Sequence, residues 1–75
     1  MTVEQVEDVI KSLREAGYTD EMIAKAFVNL VVEEKIDIIQ CDAMLSLIGY
    51  CIPEEVKKAS KKTQIEIAKK TLEEW

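Results

Sequence analysis

The chain reads as an all-α protein: a small, compact bundle of four to five short helices. Three observations predict this. Apolar residues recur at three- and four-residue spacing through most of the 75 residues, capping pairs precede those runs, and glycine occurs only twice, each time where a run ends. Strand-like alternation is nearly absent.

Thr2 with Gln5 has the spacing of a capping box, in which hydroxyl and amide satisfy each other's backbone N–H groups. Behind it, Val3, Val6, Ile10 and Leu13 recur as a buried stripe, with Val9 and Ala16 beside it. Gly17 ends this first helix, because a left-handed residue costs glycine nothing. Thr19 caps a second helix, and Asp20 and Glu21 place negative charge in its first turn, where the helix dipole favours it. Its apolar positions are Met22, Ile23, Ala26, Phe27, Leu30 and Val31, with Val28 and Val32 off that stripe. The run Val28–Val32 has strand propensity, but it lacks turn signals and a partner strand, so it too reads as helix.

Lys35 and Ile36 form a tight connection. Asp37 with Gln40 is a second capping box, and Gly49 stops the third helix. This segment, Ile36 to Tyr50, is the most unusual in the chain: ten of its fifteen residues are apolar, and they do not keep to one side. Cys41, Met44, Leu45 and Ile48 line one face, and Ile39, Ala43 and Leu47 line another. A helix that is apolar nearly all round is covered by its own chain or by a different one. Pro53 suits the first position of a fourth helix, followed by Glu54 and Glu55. Beyond it the stripe changes phase: Val56, Ala59, Thr63 and Ile67 share one face, whereas Ile65, Ala68, Leu72 and Trp75 fall opposite. That predicts a break near Ser60–Thr63, with Thr63 and Glu66 as a third capping box, and favours five helices over four.

Length allows one domain, residues 1–75. A core of this size supplies only about 3–5 kcal/mol net, so small domains often add a staple or a partner. No staple is evident. Cys41 and Cys51 have neither CxxC spacing nor a histidine near them, and read as reduced cysteines in a cytoplasmic protein. The longest apolar run is three residues, far short of a membrane span, and neither a secretory leader nor a lipidation signal is visible. Self-association or a protein partner is the expected extra source of stability.

The chemistry available is thin. Histidine is absent, which removes the best proton-transfer group near neutral pH. Cys41 lies on the most apolar helix, where burial silences a thiol. Glu33, Glu34 and Asp37 read as a solvated helix end and a cap and do not follow a calcium-loop pattern. Both glycines are helix stops, so no phosphate cradle exists. No catalytic residue, metal site, cofactor or small-molecule substrate is therefore expected.

The stretch Val9–Phe27, VIKSLREAGYTDEMIAKAF, resembles the first two helices of ubiquitin-associated-type domains, with Ala16-Gly17-Tyr18 standing where that family has its Met-Gly-Phe/Tyr loop. Ala43–Ile48 loosely matches the family's third helix. The second helix here is several residues longer, and alanine replaces the methionine. The resemblance covers about half the chain.

Together these features lead to the expectation of a small acidic, non-catalytic protein–protein interaction module. It would act through apolar surface of the second and third helices, as a homodimer or on a larger target, with Val28, Val32, Leu47, Tyr50 and Trp75 as the expected contact residues. Net charge supports an alternative of another class. The chain carries −5 overall, with −6 in residues 1–42 and +1 in residues 43–75. That balance suits an acidic inhibitor of the phage or mobile-element type, blocking a nucleic-acid-binding groove through Glu4, Glu7, Asp8, Glu15, Asp20 and Glu21. Direct nucleic-acid contact is disfavoured. The basic cluster of Lys57, Lys58, Lys61, Lys62, Lys69 and Lys70 holds no arginine and no interleaved aromatic, leaving a small DNA-binding regulator as the weakest reading.

Overall fold

A computed structural model describes residues 2–75 and, among them, five helices and no strand: α1 (Val3–Glu15), α2 (Asp20–Val32), α3 (Ile38–Ser46), α4 (Glu54–Lys58) and α5 (Lys61–Glu74). Two of the three expected capping boxes form, and the third, Thr63 with Glu66, does not, because Thr63 lies inside α5. Gln5 N–H donates to Thr2 Oγ1 at 3.2 Å while Thr2 N–H donates to Gln5 Oε1 at 2.9 Å. Asp37 and Gln40 exchange the equivalent bonds at 2.7 and 3.2 Å. Thr19 caps α2 through the Met22 N–H.

α1, α2 and α3 end in the same way. In each, one N–H reaches back three residues and the next reaches back five: Gly17 to Arg14 and Tyr18 to Leu13, Glu34 to Val31 and Lys35 to Leu30, Gly49 to Ser46 and Tyr50 to Leu45. This pairing satisfies the last carbonyls and requires a left-handed residue at the pivot. Gly17 and Gly49 supply it at φ 97° and 85°. At the end of α2 the pivot is Glu34, at φ 59°, a conformation that costs a residue with a Cβ about 1 kcal/mol. Glycine is the usual signal for this motif, so the sequence did not announce it there.

The phase break falls where the apolar pattern changes. Ala59 is extended, and Ser60 rather than Thr63 caps α5, its Oγ accepting from the Thr63 N–H at 3.3 Å. Thr63 is thus the third residue of α5. Pro53 stands one position earlier than expected. It caps α4 with extended ψ of 144°, and its carbonyl accepts from the N–H groups of Val56 and Lys57. Gln64 fastens the junction: its Nε2 lies 3.1–3.2 Å from the carbonyls of Val56, Lys57 and Ala59, the unsatisfied end of α4.

α2 is the central element, and its most extensive contact is with α5, followed by α3. Ile23 and Ala24 have no exposed surface, and Phe27 and Val31 continue the buried face. Ala68 of α5 is buried against this core, with Val28, Val32, Val56 and Trp75 packed around it. The buried face of α2 is therefore rotated from the expected stripe: Ala24 replaces Ala26, and Met22 stays half-exposed. On α1, Val6 and Ile10 are buried, but Val3 is 61% exposed and lines an open groove.

Replacing Ile23 by alanine removes a side chain packed on every side. It is expected to cost about 2–4 kcal/mol, comparable to the whole net stability of a domain this size. Ile39→Ala, at a position 59% exposed, should cost under about 0.5 kcal/mol. Urea unfolding followed by helical circular dichroism distinguishes the two.

Candidate functional site

The two faces of α3 have different fates. Cys41, Met44, Leu45 and Ile48 are buried against α2 and its neighbours. Ile39, Ala43 and Leu47 face away from the core, at 59% exposure for Ile39 and 37% for Leu47. α1 packs chiefly on α2 rather than on α3. Between α1 and α3 runs an open groove of about 450 Å³, walled by Val3 and Val6 on one side and Ile36, Ala43, Met44 and Leu47 on the other. Thr2, Lys35, Gln40 and Ser46 form its polar margin. At Leu47 the groove meets a second cleft of about 280 Å³ bounded by Glu7, Ile10, Lys11, Arg14 and Glu15. The two clefts lie in succession along α1 with Leu47 common to both, and together they are termed the trough.

Of the five expected contact residues, only Leu47 lines this trough. Val28 and Val32 are packed against the chain's own core, because α5 returns alongside α2 and covers them. Tyr50 and Trp75 are also partly buried. Their ring centroids lie 6.1 Å apart at 54°, and Lys25 Nζ stands 5.8 Å from the Trp75 ring centre. This tilted pair with a cation over it anchors the end of the chain on α2. The apolar surface expected on α2 and at Trp75 is thus partly covered, with Val28, Tyr50 and Trp75 lining a cleft of about 240 Å³ between α2, α3 and α5, whereas Ile39, Ala43 and Leu47 of α3 are exposed. Val3, Ile36 and Ala43 were missing from the expected contacts. Helical spacing alone read Val3 as core, and only the splay of α1 from α3 exposes it.

A compact 8.5 kDa monomer is expected to expose about 4,650 Å²; this chain exposes 5145 Å².

The six acidic candidates divide. Asp20 pairs with Arg14 at 2.9 Å and Glu21 with Lys25 at 3.9 Å. Glu4, Glu7, Asp8 and Glu15 are exposed on α1 and make no ion pair among the described residues. Lys57, part of the lysine cluster, is engaged by Asp42 at 3.3 Å and Glu54 at 2.9 Å, and Lys61 by Glu34 at 3.4 Å.

Among the described residues, Asp42 is the one polar side chain of α3 that bonds to the following segment. Its carboxylate accepts from the Ile52 N–H at 3.1 Å and from Lys57 Nζ. The Ile52 amide, and then Lys57, hold its carboxyl below the usual carboxylate range, and Glu54 and Asp42 raise Lys57. The thiol of Cys41 is buried, lies 3.7 Å from the Phe27 carbonyl, and is pushed up to about 11 by burial and then by the neighbouring Asp42 charge. Cys51 is exposed.

No protein-family model, curated protein or solved structure matches this chain, so the likeness of Val9–Phe27 to ubiquitin-associated-type domains carries no further argument. Among the described residues no helix is long and apolar enough to cross a membrane.

Two outcomes follow from this chemistry. Because Asp42 is depressed in the folded state, its contribution is full above the unfolded value of 3.8 and is lost as pH falls through the lower folded value. The stability advantage of the parent over Asp42→Asn should therefore hold at about pH 5 and shrink below about pH 3.8, as read by thermal melts across that range. An alkylating reagent at about pH 8 should label Cys51 alone in the folded protein and both thiols in urea, checked by peptide mass mapping.

Proposed function

We propose that this chain is a small, non-catalytic protein–protein interaction module that engages its target through the trough between α1 and α3. The observation that carries the reading is the second face of α3. Ile39, Ala43 and Leu47 stay open to solvent, and Ala43 and Leu47 face Val3 across a groove that brings apolar side chains of two helices together. Removing such a surface from water is worth about 25 cal/mol per Å² of apolar area. Contiguous apolar patches with polar margins are where soluble proteins bind one another.

The non-catalytic part rests on the side chains available. The sequence has no histidine, the Cys41 thiol stays protonated near neutral pH, and the trough is lined mainly by aliphatic groups. These are groups that exclude water, and they offer no acid–base pair. The reading keeps the expected class of function but moves its surface, from the second and third helices to the first and third.

Leu47→Asp places a charge at the junction of the two clefts without entering the core. It is expected to weaken capture of the target from the native source by at least 2 kcal/mol, about 30-fold in Kd, with the fold retained and melting lowered by only a few degrees, as a negative charge at the end of α3 predicts. Met22→Asp, a comparable change on a half-exposed residue of α2 outside the trough, should leave capture intact. Equal capture by the parent and Leu47→Asp would remove the trough from the interaction.

A further inference from the structure

We infer that the occupant of the trough is a cationic amphipathic helix of another protein, about three turns long; the inference rests on the reading of the trough as a docking surface. Length comes first. The wall that α1 offers runs from Val3 to Arg14, about 16 Å at 1.5 Å per residue, and matches a ligand helix of roughly eleven residues. Shape comes next. Val3, Val6 and Ile10 on one wall and Ile36, Ala43 and Leu47 on the other leave a channel between two helices. A third helix seats such a channel by laying side chains at i, i+3 or i+4, and i+7 between the walls.

Charge selects the class of helix. Of the unpaired acids of α1, Glu7 and Glu15 line the second cleft, with Lys11 beside them the only unpaired base of that helix among the described residues, and Glu4 and Asp8 are exposed elsewhere on α1. Lys35, at the other margin, is already engaged by Glu33 at 3.4 Å, and Arg14 by Asp20. The uncompensated field beside the trough is therefore negative, and lysine or arginine on the flank of an incoming helix completes it. The same field opposes a second copy of this chain, which would bring its own −5 and its own acidic strip to the interface.

The test uses the full chain, isotope-labelled, and three synthetic 14-residue amphipathic peptides. All carry leucine at the same helical spacing, and their polar positions are lysine and arginine, glutamine, or glutamate. The cationic peptide is expected to shift the resonances of Val3, Ala43 and Leu47 and to bind at least tenfold more tightly than the glutamine peptide. The glutamate peptide should be weakest. Glu4→Gln, Glu7→Gln and Glu15→Gln combined should bring the cationic and glutamine peptides within about threefold of each other, and Ala43→Trp, which fills the groove without altering charge, should abolish binding. Equal binding of the glutamine and cationic peptides at these residues, or no binding of the cationic peptide at 1 mM, overturns the helix inference while native-target capture that is lost in Ala43→Trp keeps the trough reading. Binding of the cationic peptide to Ala43→Trp with parental affinity places it outside the trough and also overturns the inference. Concentration-dependent shifts of the same resonances without peptide identify a second copy as the occupant and overturn it as well. Only parental capture of the native target by Ala43→Trp removes the trough reading itself.

Discussion

The burial of α2 is the constraint on which the rest of the structure depends. Ile23 and Ala24 are sealed from solvent, and Phe27 and Val31 extend the sealed face along the helix. A chain of 75 residues has few elements with which to enclose a helix, and most of them are spent here: α5 along one side, α3 along another, and α1 across its start. The small side chains of Ala24 and Ala68 are both buried at the centre of this arrangement, which favours close approach of helices. The break between α4 and α5 serves the same end, because a continuous helix from Pro53 would turn Ile65, Ala68, Leu72 and Trp75 away from α2.

Once α2 is enclosed, nothing remains to cover the far side of α3. Its buried face meets α2, and Ala43 and Leu47 of its other face look across to α1, which is held at α2 and does not close the distance. The trough is thus a by-product of helix allocation rather than of any one residue. Its apolar lining is costly to leave in water, and the unpaired carboxylates of α1 stand beside it. An apolar floor next to an uncompensated negative border is what gives the surface a preference among partners, since apolar area alone distinguishes few of them.

Much of this fold was legible in the sequence because its signals are local. Thr2, Thr19 and Asp37 each act on an N–H within three residues, and Gly17 and Gly49 answer a backbone demand at one position, so neither kind of signal needs the tertiary structure. The apolar excess of Ile36–Tyr50 was equally plain, and its division into a Cys41–Met44–Leu45–Ile48 face and an Ile39–Ala43–Leu47 face matches what is buried and what is open. What was not legible depends on which elements meet. Val28, Val32 and Trp75 look surplus on a helical wheel and are covered only because α5 folds back on α2. Val3 looks like core and is exposed only because α1 diverges from α3. Glu34 carries no hint of its left-handed backbone, since the motif is imposed by the turn out of α2 against the preference of its own side chain.

In a single molecule, the Ile23–Ala24–Phe27–Val31 face of α2 is sealed while α3 keeps an apolar face in water. Paramagnetic relaxation of methyl groups by a soluble gadolinium chelate, measured on a dilute monomeric sample, tests it most directly. Strong relaxation at Val3, Ile39 and Leu47, with Ile23, Ala24 and Val31 protected, is the result the structure requires. Protection of Val3, Ile39 and Leu47 to the level of Ile23 would contradict it.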